Sequence, residues 1–141
     1  MEPGLSFAQL DLGSDERFQR LRADLGVSSF GINLLRLQPG QGSRIHRHEH
    51  QEEVYLVLEG TLTLEVEGSE EHELGRGRLV RVAPDVRRQL SNRRPEPLAL
   101  LALGGAQPHE GRDGRAFASW EDTQGGSPQD VPLPDDFPVG S

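Results

Sequence analysis

Three observations predict an all-β fold of antiparallel strands. Short apolar or alternating runs recur at close, regular spacing between residues 30 and 103. Turn residues separate them, among them Pro39-Gly40, Gly60 and Gly68. No long amphipathic helix intervenes, as a parallel α/β sheet would demand, so the pattern favours a sandwich or a barrel. At 141 residues the chain suits a single domain that buries about two-thirds of the surface its unfolded form exposes.

Taken in order, residues 7–12 alternate loosely and predict an edge strand. Ser14 then offers an N-cap, Asp15 and Glu16 occupy a first turn where the helix dipole favours acids, and Phe18, Leu21 and Leu25 repeat at helical spacing before Gly26. One short amphipathic helix is expected within this N-terminal segment, 1–27. Residues 30–37 read as a strand closed by Pro39-Gly40. Residues 54–58 and 62–66 form a hairpin about Gly60, the second strand alternating Leu62, Leu64 and Val66 with Thr63 and Glu65. Segments 79–82, 86–90 and 97–103 supply further strands, which completes a barrel over 28–103. Beyond it, segment 104–141 turns rich in Gly, Pro and acids, and Gly125-Gly126-Ser127-Pro128 and Val131-Pro132-Leu133-Pro134 argue against regular structure. An irregular acidic tail is expected, either partly disordered or anchored by Phe117, Trp120 and Phe137 to the barrel or to a neighbouring subunit.

The chemistry concentrates between Gly40 and Gly60. Five residues separate Gly40 from His46-Arg47-His48, four more precede Glu53, and six lie between Glu53 and Gly60. Residues two apart on a strand share a face, so His46 and His48 aim both imidazoles into one cavity. Glu53 follows the charged segment Glu49-His50-Gln51-Glu52, which suits a bend, and its carboxylate can return from the neighbouring strand. The alternative for all three is a solvated, charged turn. Tyr55 shares the face of Glu53 and is either a core residue or a general acid.

This pattern resembles the first motif of the cupin superfamily, matching its two glycines, both histidines, the glutamate and every spacing between them. The second motif should lie over residues 77–92, where Gly77 and Asn92 agree, Pro84 sits one residue late and Asp85 stands at the second glycine position. The family's fourth metal ligand is a histidine, and that position is Arg88 here. The resemblance implies a small antiparallel double-stranded β-helix, a jelly-roll barrel with its site inside. It implies His46, His48 and Glu53 as ligands of a divalent transition metal (Fe, Mn, Ni or Zn), and a homodimer. Superfamily activities span dioxygenases, isomerases, epimerases, decarboxylases, sugar-binding regulators and storage proteins, so the fold selects no reaction.

Arg88 creates an electrostatic conflict. Val86, Arg88, Leu90 and Asn92 share a mixed face that suits the interior better than the polar face of Arg87, Gln89 and Ser91. A divalent ion and a guanidinium about 6 Å apart repel by roughly 5 kcal/mol at an effective dielectric of about 20, before Glu53 offsets part of it. Three outcomes follow. Arg88 turns to the barrel mouth and orients a substrate beside the metal; or it pairs with Glu53 and replaces the ion; or His50 or another donor supplies the fourth ligand. The leading expectation is a metal-binding, dioxygenase- or isomerase-like enzyme for a small anionic molecule, with Arg88 and Tyr55 as candidate catalytic residues. The alternative is a metal-free cupin that binds a small ligand or sugar for sensing or regulation. Gln51 joins the site only if its bend folds inward, and His72 and His109 are expected in exposed loops.

Composition excludes several classes. The net charge is −8, and seven acids against Arg112 and Arg115 from Gly104 onward give the tail −5 of it, which disfavours nucleic-acid binding. Cysteine is absent, so disulfides and thiolate ligands are excluded and any metal relies on nitrogen and oxygen donors. All 15 basic residues are arginine, which excludes a lysine Schiff base. No apolar run approaches the ~20 residues that span a bilayer, and no signal pattern opens the sequence, so a soluble cytoplasmic protein with a small-molecule ligand is expected.

Overall fold

The structure, a computed structural model, describes residues 4–105 and 113–140. Ten strands form two five-stranded antiparallel sheets. They are β1 (Phe18–Gln19), β2 (Gly31–Leu37), β3 (Ile45–His48), β4 (Glu52–Glu59), β5 (Leu62–Val66), β6 (Glu70–Leu74), β7 (Leu79–Val82), β8 (Arg88–Ser91), β9 (Leu98–Gly105) and β10 (Gly114–Phe117), with one helix, α1 (Leu21–Leu25). The first sheet runs β1-β2-β9-β4-β7 and the second β10-β3-β8-β5-β6. Apart from β1–β2 and β5–β6, which pair within one sheet, sequence neighbours cross between sheets, the topology of a double-stranded β-helix.

Alternation decides what each strand buries. On β4, Glu53, Tyr55 and Val57 face inward and are buried, while Val54, Leu56 and Leu58 face outward and are half-buried. Leu35, Leu37, Leu62, Leu64, Leu74, Leu90, Leu98 and Leu100 join Tyr55, Val57 and Val82 between the sheets. Each such leucine contributes roughly 1.5–3 kcal/mol. This packing fills one end of the barrel and leaves the other to polar residues. Gly60 carries the chain from β4 in the first sheet to β5 in the second at φ +81°, where a Cβ would press on the Pro97 carbonyl. The two strands do not pair, so the expected hairpin about Gly60 does not form, and β5 pairs with β6 and β8 instead.

The N-terminal segment departs from expectation. Residues 7–12 form no strand, and Phe7 is 84% exposed. Side chains hold this stretch instead: Gln19 accepts from the Asp11 N–H and donates to the Gln9 carbonyl. The helix starts at Leu21 rather than after Ser14, whose hydroxyl accepts from the Glu16 N–H in a local turn. Buried Arg36 explains the difference. Its guanidinium takes the carbonyls of Asp11, Glu16 and Phe18, and its main-chain N–H takes that of Arg17. Carbonyls committed in this way cannot start a helix, and Phe18–Gln19 pairs with β2. Outside the first sheet, α1 covers a second apolar cluster of Leu21, Leu34 and Ala99.

The tail also holds more order than its composition suggests. β10 adds to the edge of β3, with Gly114 opposite His48 and Phe117 opposite Ile45, and residues Pro128–Asp130 form a 3-10 turn. Phe117 is buried, Arg87 lies over the Phe117 and Trp120 rings, and the Phe137 N–H donates to the Gly40 carbonyl. The segment is thus strapped to its own barrel. His72 lies on β6 rather than in a loop, exposed beside Glu70, and His109 lies outside the described residues. No described helix is long and apolar enough to cross a membrane.

Candidate functional site

β3 and β4 carry the three sequence-predicted ligands to one point. His46 and His48 project from one face of β3 with their rings 5.4 Å apart and edge to face. Glu53, the second residue of β4, brings its Oε1 within 3.5 Å of His46 Nε2 and 3.3 Å of His48 Nε2. One donor atom from each residue lies within 4.8 Å of the others.

The remaining ring nitrogens are committed elsewhere. His48 Nδ1 donates to Asp113 Oδ1 at 2.7 Å, and His46 Nδ1 lies 3.2 Å from the Arg44 carbonyl. Each bond places the proton on Nδ1 and leaves the Nε2 lone pair directed at Glu53. Asp113 is held in turn by the main-chain N–H groups of His50 and Gln51, through Oδ2 at 2.9 and 2.7 Å. A carboxylate behind a histidine is the arrangement that orients metal ligands. His48 Nε2 is buried and has no hydrogen-bond partner among the described residues. Two lone pairs converging on a carboxylate oxygen require a cation or a proton between them, so the donor set fits a divalent metal.

Arg88 occupies the fourth corner from β8, where it pairs with His46 across the strands. Its side chain is wholly buried, and Nη2 donates to Glu53 Oε1 at 2.5 Å. Nε donates to Tyr55 Oη at 3.2 Å, and Nη1 reaches the carbonyls of Val86, Ala83 and Pro84. Every bond of the guanidinium goes to protein, so Arg88 faces Glu53 and not the barrel mouth. Tyr55 donates to the same Oε1 at 2.6 Å. His50 is exposed, stays outside the converging donors and contributes only its main chain, so it supplies no fourth ligand.

Charge follows this geometry. Burial pushes Glu53 up, but the neighbouring His46 and His48 imidazoles and the Arg88 guanidinium hold it well below the usual carboxylate range. Burial also lowers His48, and the adjacent Glu53 and Asp113 carboxylates outweigh this and raise it. Burial and the Glu53 charge push the Tyr55 phenol well above its ordinary value against the opposing Arg88, so it keeps its proton.

A cavity of about 230 Å³ opens beside the ligands, and Tyr55, Leu35 and Leu90 belong to its wall. Arg17, Arg44 and Asn33 also line it. Sequence reasoning missed these and Asp113. Arg44 had a signal, because Arg44, His46 and His48 alternate on one face. Asp113 had none, lying 65 residues from its partner. Gln51 is buried with its side chain against Gly104 and reaches the site only through the main-chain N–H that holds Asp113, while buried Asn92 bonds the carbonyls of Leu37 and Glu96 and is structural.

The Cupin domain family matches residues 33–104, more than half of the chain. The chain belongs to the cupin family. Among solved structures, this cupin is similar to a cupin protein from Bacteroides fragilis, at 24% identity over 78% of this chain and 92% of that one, with a TM-score of 0.65. It is similar to a sugar phosphate isomerase of the cupin superfamily from Silicibacter pomeroyi, at 29% identity over 83% and 79% of the two chains, with a TM-score of 0.63. It is also similar to the cupin domain of an XRE family transcriptional regulator from Enterobacter cloacae, at 25% identity over 62% and 93%, with a TM-score of 0.56. No curated protein matches the chain.

Proposed function

We propose that this cupin is a metal-dependent enzyme of isomerase type that acts on a small anionic molecule in the barrel cavity. The observation that carries the reading is the buried, unpartnered Nε2 of His48, directed with His46 Nε2 at Glu53. Similarity to the Silicibacter pomeroyi isomerase favours isomerisation over oxygenation. His46, His48 and Glu53 hold the ion, which when bound supplies Lewis acidity to a substrate oxygen. Asp113 and the Arg44 carbonyl keep both imidazoles in the ligating tautomer. Arg88 is a positioning residue that fixes Glu53, and protonated Tyr55 offers a hydrogen bond at the cavity wall. Protein purified without an affinity tag is expected to carry about one transition-metal ion per chain, measured by elemental analysis, and His48→Ala to lose it. A metal-free protein that gains none on reconstitution sinks the reading.

The Arg88–Glu53 pair favours a second reading, a metal-free cupin that binds a small ligand for sensing, and the likeness to the Enterobacter cloacae regulator domain supports it. Arg88→His separates the two: tight metal binding that arises only in the variant favours the metal-free cupin.

A homodimer is part of the proposal. Val54, Leu56 and Leu103 lie half-buried on the outer face of the first sheet, and Leu79 at its edge is 61% exposed. Light scattering should give twice the 15.6 kDa chain mass, and a monomer at micromolar concentration rejects this assembly.

A further inference from the structure

In a chain of net charge −8, two guanidinium groups line the cavity that holds His46, His48 and Glu53. Arg17 lies just before β1 and Arg44 just before β3, so both sheets contribute one. A single bond steadies each side chain: Arg17 Nη1 donates to the Gly42 carbonyl at 2.7 Å, and Arg44 Nε donates to the Val131 carbonyl at 2.5 Å. Neither forms an ion pair or a further side-chain hydrogen bond among the described residues. Six other described arginines pair with a glutamate and six more form no ion pair, but only Arg17 and Arg44 of the unpaired set line this cavity.

Two like charges that form no ion pair in a half-buried pocket are costly unless a ligand completes them, and Asp136 offsets only part of this at Arg17. Burial lowers the Arg17 pKa, Asp136 raises it in part, and Arg44 adds a smaller lowering effect. The Asn33 side chain also lines the cavity and makes no hydrogen bond among the described residues, which leaves an amide for a ligand hydroxyl or carbonyl. The cavity volume, about 230 Å³, lies below the ~300–1,000 Å³ of drug-sized sites and restricts the occupant to a small molecule.

We propose that Arg17 and Arg44 together receive the phosphoryl group of a small ligand whose other end lies at His46, His48 and Glu53. A phosphate monoester carries about −1.5 to −2 at neutral pH and presents three acceptor oxygens, which matches two guanidinium forks where a carboxylate matches one. The position of the reacting end rests on the metal-centre reading, whereas the anion site stands on the arginines alone.

The test is calorimetric titration of the full chain, stripped of metal by chelation, with inorganic phosphate. Saturable binding is expected, weakened about tenfold or more in Arg17→Gln and in Arg44→Gln. Thermal melts check each variant's fold. Because Arg44 also ties down Val131, Arg17→Gln, which gives up only a loop carbonyl, is the decisive variant. No saturable phosphate binding by the parent chain, or binding by a folded Arg17→Gln equal to that of the parent, overturns the anion site. Metal content measured on the same samples reports separately: a chain that binds phosphate through both arginines but never holds metal loses only the metal centre.

Discussion

Replacing Arg88 by alanine is expected to cost about 3–5 kcal/mol of folding stability, measured by urea denaturation. The side chain is fully buried, and its removal leaves Glu53 charged without its shortest partner and the Val86 carbonyl without a donor, while the Ala83 and Pro84 carbonyls keep the main-chain N–H groups of Val86 and His48. The loss has a pH signature. Glu53 is depressed in the folded protein, so its contribution is present above the ordinary carboxylate pKa of about 4.3 and is lost as the pH falls through the lower folded value. The variant should therefore show a flatter acid limb as well as a lower plateau. Changing Glu53 to Gln in the same chain should recover part of the loss, because a neutral partner no longer needs the guanidinium. If the metal reading holds, added Mn(II) or Zn(II) rescues Arg88→Ala more than it stabilises the parent, since the competing cation is gone. A loss under about 1 kcal/mol would falsify the assignment of Arg88 as the residue that holds Glu53.

At the proposed metal centre, Asp113→Ala is expected to weaken metal binding about 10–100-fold, read by competition with a chelating dye. Asp113 touches no ligand position and acts through His48 Nδ1, so lost orientation alone lowers the affinity. The pH profile distinguishes this from general damage. His48 is raised in the parent, partly by Asp113, and its protonated form cannot ligate, so binding falls as the pH drops through that raised value. Removing Asp113 takes away one raising contribution, so the midpoint moves to lower pH while the plateau affinity at high pH declines. Asp113→Asn, which keeps an acceptor without the charge, should fall between the two. A variant whose midpoint stays put, or moves up, refutes the positioning role.

Local patterns carried the barrel. Alternation at 62–66 and 79–82 returned strands with those bounds, and the offsets of His46, His48 and Glu53 returned three converging donors. Long-range partners overrode local signals elsewhere. Ser14, Asp15 and Glu16 read as a helix start, yet Arg36 claims the carbonyls around them from another strand. Gly and Pro in the tail read as irregular, yet the open edge of β3 offered hydrogen bonds that residues 114–117 take up. Arg88 was legible as an inward cation, and its choice of Glu53 over the mouth depended on the carbonyls of the β7–β8 turn, which no periodicity reveals.

The strand that runs beside β3 has a consequence for how such proteins are compared. The family match ends at residue 104, yet Asp113, which sets the proton on His48, and Arg17, which lines the cavity, both lie outside it. Two relatives can therefore share every barrel residue and differ in the flanking peptide that bonds His48 and lines the cavity. Grafting residues 33–104 alone onto another scaffold would transfer the donors without their tuning.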